Sequence, residues 1–156
     1  VGVNTHLSNK IVFDALNKQS IKEIKNFDFI KQEVKFGENT RFDFLLTKNE
    51  KKYFIEVKNV TLSRNKSTAE FPDAVTSRGL KHLSELIKAK KKGYEIYLFF
   101  LIQRDDCKKF ILANDIDPEY CELLKKAVKK KLNILCYDCK FSSKGIKLNR
   151  KIEYKI

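Results

Sequence analysis

The chain has 156 residues, 42% of them hydrophobic and 34% charged, which supplies one domain with a single core and excludes a disordered segment. Its formal net charge is +13. That excess points to a polyanionic partner, most simply nucleic acid, because lysine and arginine gain by displacing counterions from phosphates; a lysine-rich, merely solvated surface is the plainer alternative. No apolar run reaches the roughly 18 residues a transmembrane helix needs, and no secretory leader is visible. A cytoplasmic protein is therefore expected, with no membrane partner. The chain contains no methionine and reads as a piece of something longer.

In chain order, Ser8 or Asn9 is suited to cap a first helix whose Ile11, Val12, Ala15 and Leu16 share one face, and Ser20 to cap a second turn bearing Ile21 and Ile24. Residues 27–36 alternate as a strand, with Phe29, Lys31, Glu33 and Lys35 on one side and Ile30, Gln32 and Val34 on the other. A turn follows at Gly37-Glu38-Asn39. The next strand, 41–47, carries Asp43 and Leu45 on one face and Phe42, Phe44 and Leu46 on the other. A polar turn at 48–52 leads into the strand 53–60, so the two strands read as a hairpin. With the tip at Asn49-Glu50, Asp43 lies directly across from Glu56 and Arg41 across from Lys58.

Residues 61–70 are polar and expected to form a loop. Phe71-Pro72-Asp73-Ala74-Val75-Thr76 then leads into a helix over 77–91, with Leu80, Leu83, Leu86 and Ile87 as its apolar stripe and Gly93 ending it. The nearly continuous apolar run 95–103 predicts a central strand covered on both faces. Asp117-Pro118-Glu119 predicts a helix start, and that helix runs to Lys130. Residues 132–137 form a further strand, and the basic stretch 140–156 adds a hairpin. This order predicts an α/β fold with a mixed central sheet flanked by helices. Of Cys107, Cys121, Cys136 and Cys139, only the last two have a metal-like gap, and their odd spacing on a strand sends them to opposite faces. Reduced thiols are expected.

The stretch Tyr53-Phe54-Ile55-Glu56-Val57-Lys58-Asn59-Val60 sets two opposite charges into an otherwise apolar strand. Burying charge is costly, so the pair marks a candidate site. Asp43, across the hairpin, adds a second carboxylate. Alone the two acids repel, and one tends to hold its proton. A divalent cation between them removes the conflict, and hard oxygen ligands with open positions suit Mg²⁺ or Mn²⁺. The Val57 carbonyl is a candidate third ligand. Lys58 shares the face of Glu56 and can hold an attacking water or neutralise charge on a phosphate; this suits it better than work as a general base. Arg78, Lys81 and His82 fall in the first turns of a helix, at helical spacing, where the helix end favours anions. With Arg41 they are candidate phosphate contacts, a solvated basic face being the plainer reading. The lysine runs at 88–92 and 125–131 read as solvated helix ends.

Asp43 followed by Glu56-Val57-Lys58 resembles the core of the PD-(D/E)XK nuclease superfamily. Pro72-Asp73 does not, since it follows the Glu-x-Lys strand where the superfamily's Asp precedes it. More specific are Val1-Gly2-Val3-Asn4-Thr5, Asn39-Thr40-Arg41-Phe42-Asp43-Phe44-Leu45-Leu46, Glu56-Val57-Lys58-Asn59-Val60-Thr61-Leu62, Phe71-Pro72-Asp73-Ala74-Val75-Thr76-Ser77-Arg78-Gly79-Leu80-Lys81-His82-Leu83 and Gln103-Arg104-Asp105-Asp106. In that order they resemble the sugar fermentation stimulation protein (SfsA) family over nearly the whole chain.

The resemblance implies a restriction-endonuclease-like PD-(D/E)XK domain over residues 1–156, with the family's N-terminal OB-like domain absent from this chain. It implies DNA binding and, from the nuclease fold, metal-dependent cleavage of phosphodiester bonds in DNA or RNA. It also implies Glu33 as the upstream acid of the core and Gln103 as the polar residue that closes the site; a solvated strand residue and an ordinary strand end are the plainer readings. The expected catalytic residues are thus Asp43, Glu56, Lys58, Glu33 and Gln103. The expected nucleic-acid contacts are Arg41, Arg78, Lys81 and His82, and the expected ligands of Mg²⁺ or Mn²⁺ are Asp43, Glu56 and Val57. The competing expectation is a non-catalytic, nonspecific DNA-binding regulator of sugar (maltose) metabolism whose nuclease fold goes unused.

Overall fold

A run of alternating apolar side chains through the middle of the chain feeds two separate cores, and the architecture follows from it. The computed structural model describes residues 5–156; the first four residues of the Val1-Gly2-Val3-Asn4-Thr5 motif lie outside them. In chain order the elements are α1 (Thr5–Asn17), β1 (Phe29–Phe36), β2 (Thr40–Lys48), β3 (Lys51–Val60), β4 (Leu62–Asn65), β5 (Thr68–Phe71), α2 (Ser77–Lys91), β6 (Glu95–Ile102), β7 (Lys109–Leu112), α3 (Pro118–Lys129), β8 (Asn133–Ser142), β9 (Gly145–Lys151) and β10 (Glu153–Lys155). Six strands form the main sheet in the order β1-β2-β3-β6-β8-β9, and four form a second sheet in the order β10-β7-β5-β4.

The main sheet is mixed. β1, β2 and β3 run as an antiparallel meander, β3, β6 and β8 are mutually parallel, and β9 returns antiparallel to β8. The run 95–103 becomes β6, an interior strand as its apolar sequence predicts. Ile96, Leu98, Phe100 and Ile102 enter one core, which also receives Leu83 and Leu86 of α2 and Leu124 of α3. Phe99 and Leu101 enter the other, against Ile11, Val12, Ala15 and Leu16 of α1. Two apolar layers with helices on both faces are the α/β solution expected from the element order. Cys136 and Cys139 fall into opposite cores, and all four cysteines are buried and free.

The β2–β3 hairpin has the register read from the sequence: Lys48 pairs with Lys51, Leu46 with Tyr53 and Phe44 with Ile55. Asn49 and Glu50 both take positive φ, 50° and 69°, the left-handed pair of a two-residue turn whose twist matches the strands. The pairing stops at Phe44–Ile55, so neither Asp43 against Glu56 nor Arg41 against Lys58 is a ladder pair, and the alternation expected along β2 breaks there, with Phe42 in the α2-side core and Phe44 and Leu46 in the other.

Several expectations change. α1 begins at Thr5, so Ser8 and Asn9 lie inside it rather than at its cap. The turn expected to carry Ile21 and Ile24 is present, and both are buried. The alternation expected along β1 breaks at Glu33, whose φ is +52°. Ile30 packs with the α1-side core, whereas Val34 and Phe36 pack with the α2-side core. The expected loop at 61–70 is the hairpin of β4 and β5, which opens the second sheet. Its polar sequence hides a closed ion-pair network: Arg64 donates to the buried Glu70 (Nη2 to Oε1, 2.7 Å) and to Asp115 (Nη1 to Oδ2, 2.6 Å). A buried carboxylate satisfied in this way needs no apolar neighbour in sequence. β7 was also unforeseen; it lies parallel to β5 and to β10.

Candidate active site

Where β2 and β3 part, the backbone ladder is replaced by side chains. The Val57 amide donates to Asp43 Oδ2 at 2.7 Å, and Asp43 Oδ1 accepts from Asn9 Nδ2 of α1 at 2.9 Å. Asp43 is thereby fixed beside β3 by two donors from two different elements. In a strand the N–H and C=O of one residue point to the same neighbour. The Val57 carbonyl accordingly points toward the β2 side, next to Asp43, beyond the last ladder pair.

Glu56 is only 3% exposed. Its Oε2 lies 2.7 Å from His82 Nδ1 of α2 and 3.5 Å from Lys58 Nζ, and Lys58 Nζ lies 3.0 Å from the same His82 nitrogen. Its Oε1 is buried with no hydrogen-bond partner from the chain. The two acids split electrostatically. Burial, then the charge of Glu56, pushes the Asp43 carboxyl up to about 7. Burial also acts upward on Glu56, but the His82 hydrogen bond and the charge of Lys58 outweigh it and hold Glu56 below the ordinary carboxylate value. One proton on Asp43 relieves the repulsion.

A cleft of about 510 Å³ opens over these groups, and Glu33, Asp43, Glu56, Val57, Lys58 and Arg78 contribute to its lining. Glu33 reaches it from the left-handed break in β1, a conformation uncommon for a non-glycine residue within a strand. Among the described residues no cluster of three or more His, Cys, Asp or Glu side chains could hold a metal. A cation here would draw on one oxygen each from Asp43 and Glu56 and on the Val57 carbonyl. That hard, incomplete oxygen set fits a small divalent ion with open positions, and the partnerless Glu56 Oε1 is the atom that calls for one.

Other expected site residues fall differently. Gln103 does not line the cleft. Its Nε2 donates to Ser8 Oγ at 2.8 Å, and Ser8 lines the cleft in its place. His82 is expected on the phosphate-gripping face of α2 but touches Glu56 and Lys58 directly. Arg41, Arg78 and Lys81 line a neighbouring groove, and Lys81 Nζ donates to the Asn39 carbonyl at 3.2 Å. Asp73, set aside as a motif match, is exposed and also lines the cleft.

Asn9 and Ser8 were missed as site residues. A signal existed: Ser8 lies on the same helical stripe as Ile11, Val12 and Ala15, and a polar residue in an apolar stripe asks for a partner.

The family model described as "Sugar fermentation stimulation protein RE domain" matches residues 6–145. A sugar fermentation stimulation protein homolog from Pelagibacter ubique is 56% identical over 153 residues, covering 98% of this chain and 66% of that protein. A homolog from Aliivibrio fischeri is 44% identical over 156 residues, covering 99% of the chain and again 66% of the relative. Among solved structures, SfsA of Pyrococcus furiosus in complex with Ca²⁺ superposes with a TM-score of 0.90 at 27% identity, over 99% of this chain and 66% of that one. The chain thus spans about two thirds of the length of these relatives. Its mixed α/β sheet with flanking helices is the restriction-endonuclease-like, PD-(D/E)XK fold.

Proposed function

The chain belongs to the sugar fermentation stimulation protein (SfsA) family, and on that premise we propose that it is a divalent-metal-dependent nuclease that hydrolyses phosphodiester bonds of DNA or RNA. One observation carries this reading: two carboxylates from adjacent strands converge, one buried oxygen among them has no partner from the chain, and a lysine ammonium stands beside them in an open cleft. Asp43, Glu56 and the Val57 carbonyl would hold Mg²⁺ or Mn²⁺. The Ca²⁺ complex of the Pyrococcus furiosus relative supports a divalent ion. When bound, such an ion acidifies the attacking water and withdraws charge from the scissile phosphate.

The protein groups supply the rest. Lys58, paired with Glu56 beside His82, donates to the attacking water and offsets charge growing on the phosphoryl oxygens. Glu33 adds a carboxylate at the cleft wall, able to hold a second water. Gln103 acts at one remove, fixing α1 through Ser8 so that Asn9 keeps Asp43 in register. Arg78, on the rim, grips a phosphate of the incoming strand, with Arg41 and Lys81 beyond it.

The test is incubation of purified protein with single- and double-stranded DNA and RNA in Mg²⁺, Mn²⁺ or EDTA, beside Asp43→Asn and Lys58→Ala. Cutting is expected with either ion and absent in EDTA. Each substitution should lower the rate by about 100-fold or more, the scale of losing one transition-state contact. A wild type that cuts nothing, or variants that cut equally well, would overturn the nuclease reading. Nucleic-acid binding without cutting would favour the regulatory reading.

A further inference from the structure

Beside the cleft, the β1–β2 turn and the first turns of α2 enclose a groove. Lys35 and Arg41 contribute to one wall, Arg78 and Lys81 to the other, and Glu38 is the single acid in its lining. The groove and the cleft share Arg78 and His82, so the two are continuous. The groove abuts the N-terminus of α2, where Thr76 caps the Gly79 amide and the buried Asp117 carboxylate accepts from the Thr76 amide, so its attraction for an anion comes from the four basic side chains. In its lining stands Thr40, 3% exposed, whose hydroxyl has no hydrogen-bond partner. A buried hydroxyl of this kind is ordinarily met by an ordered water or a bound group.

We propose that this groove is a flanking-phosphate subsite, which holds the backbone phosphates of a polynucleotide next to the scissile one. The inference rests on the nuclease reading for the identity of the scissile group. It adds a requirement which that reading lacks: the substrate must continue past the cut, as an oligonucleotide does and a simple diester does not. The contacts are to phosphate, so they set position and affinity, not base sequence. A second basic hollow, between α1 and β9, carries Lys10, Lys18, Lys144 and Lys147. It does not share residues with the cleft and serves as the internal control.

The experiment measures binding of a fluorescein-labelled oligonucleotide by anisotropy in EDTA, over a series of salt concentrations, so that no cleavage is needed. The Lys35→Gln/Arg41→Gln protein should bind about tenfold more weakly, and its slope of log affinity against log salt should be shallower by about two, one for each lost phosphate contact. The charge-keeping Lys35→Arg/Arg41→Lys protein should bind like the wild type, which separates loss of charge from loss of fold. Lys10→Gln/Lys144→Gln should leave affinity unchanged or reduce it less than twofold. Wild-type affinity and slope in the Lys35/Arg41 charge-removing variant would overturn the proposal, as would an equal loss in the α1/β9 control. Failure of the nuclease reading is distinguishable: it would appear as absent cutting in Mn²⁺ while the groove variants still lose binding.

Discussion

Glu56 presents its two oxygens to different worlds. Oε2 is taken by His82 and Lys58, while Oε1 is buried with no amide or ammonium donor, and the Asp43 carboxyl is the hydrogen-bonding neighbour of Glu56 when it holds its proton. His82 therefore decides which oxygen is left over, and Lys58 Nζ, 3.0 Å from the same ring nitrogen, stands against its edge. A side chain that orients a metal-binding carboxylate in this way is typically worth 10- to 100-fold in metal affinity. Replacing His82 with alanine should weaken Mn²⁺ binding by about tenfold in calorimetry, while Asn, which keeps a donor on a shorter arm, recovers part of the loss. Unchanged Mn²⁺ affinity in His82→Ala would mean that the histidine is only a packing neighbour of Glu56. The test reads binding, not turnover, so it bears on geometry even if the site cuts slowly.

At the scale of elements, α2 carries His82, Arg78 and Lys81, and its position depends on a relay of caps. Asp117 Oδ1 accepts from the Tyr120 amide at 3.1 Å and so caps α3, while its Oδ2 accepts from the Thr76 amide at 3.1 Å. Thr76 in turn caps α2 at Gly79 with a 2.9 Å bond. One 2%-exposed carboxylate thus holds the starts of both helices. Asp117→Ala should destabilise the fold by about 2 to 3 kcal/mol, the sum of a lost cap and an unpaired buried amide, seen as a lower midpoint in urea unfolding. A loss under about 0.5 kcal/mol would show that the relay carries no strain-bearing role. Asp117-Pro118 was legible in sequence because capping is local chemistry. So was the β2–β3 register, which the two-residue turn at Asn49-Glu50 dictates. What escaped was non-local. The β4–β5 hairpin hides behind the Arg64–Glu70–Asp115 network, which Asp115 completes from 51 residues further along the chain. The break at Glu33 depends on a backbone angle that no propensity assigns to glutamate. In the site, Glu56 and Lys58 were readable from strand alternation and Asp43 from the turn. Asn9 and the contacts of His82 with Glu56 and Lys58 were not, because these two side chains arrive from helices on opposite faces of the sheet.

At the scale of the whole molecule, the site opposes the fold. With no metal bound, the Asp43 carboxyl sits at about 7 against an ordinary value of 3.8. Its folded value is raised, so its contribution to stability is fully present below about pH 4 and is lost as pH rises through about 7. Taken at face value the shift corresponds to on the order of 4 kcal/mol, large against the 5–15 kcal/mol of a typical domain. Glu56 has the opposite sign: its folded value is lowered, so its contribution is present above the ordinary carboxylate value and fades only in stronger acid. Between about pH 4 and 7 the Asp43 effect therefore governs. In EDTA the melting temperature of the wild type should fall across that window relative to Asp43→Asn, whose amide stays neutral at every pH. Adding Mn²⁺ should reverse the trend, because the ion takes the place of the proton and stabilises the native state by mass action. The Mn²⁺-induced rise in melting temperature should accordingly grow from pH 6 to pH 8 in the wild type and nearly vanish in Asp43→Asn. Parallel melting curves for the two proteins in EDTA would show that Asp43 is not the proton-holding member of the pair. A Mn²⁺ shift of equal size in both would remove Asp43 from the metal site altogether.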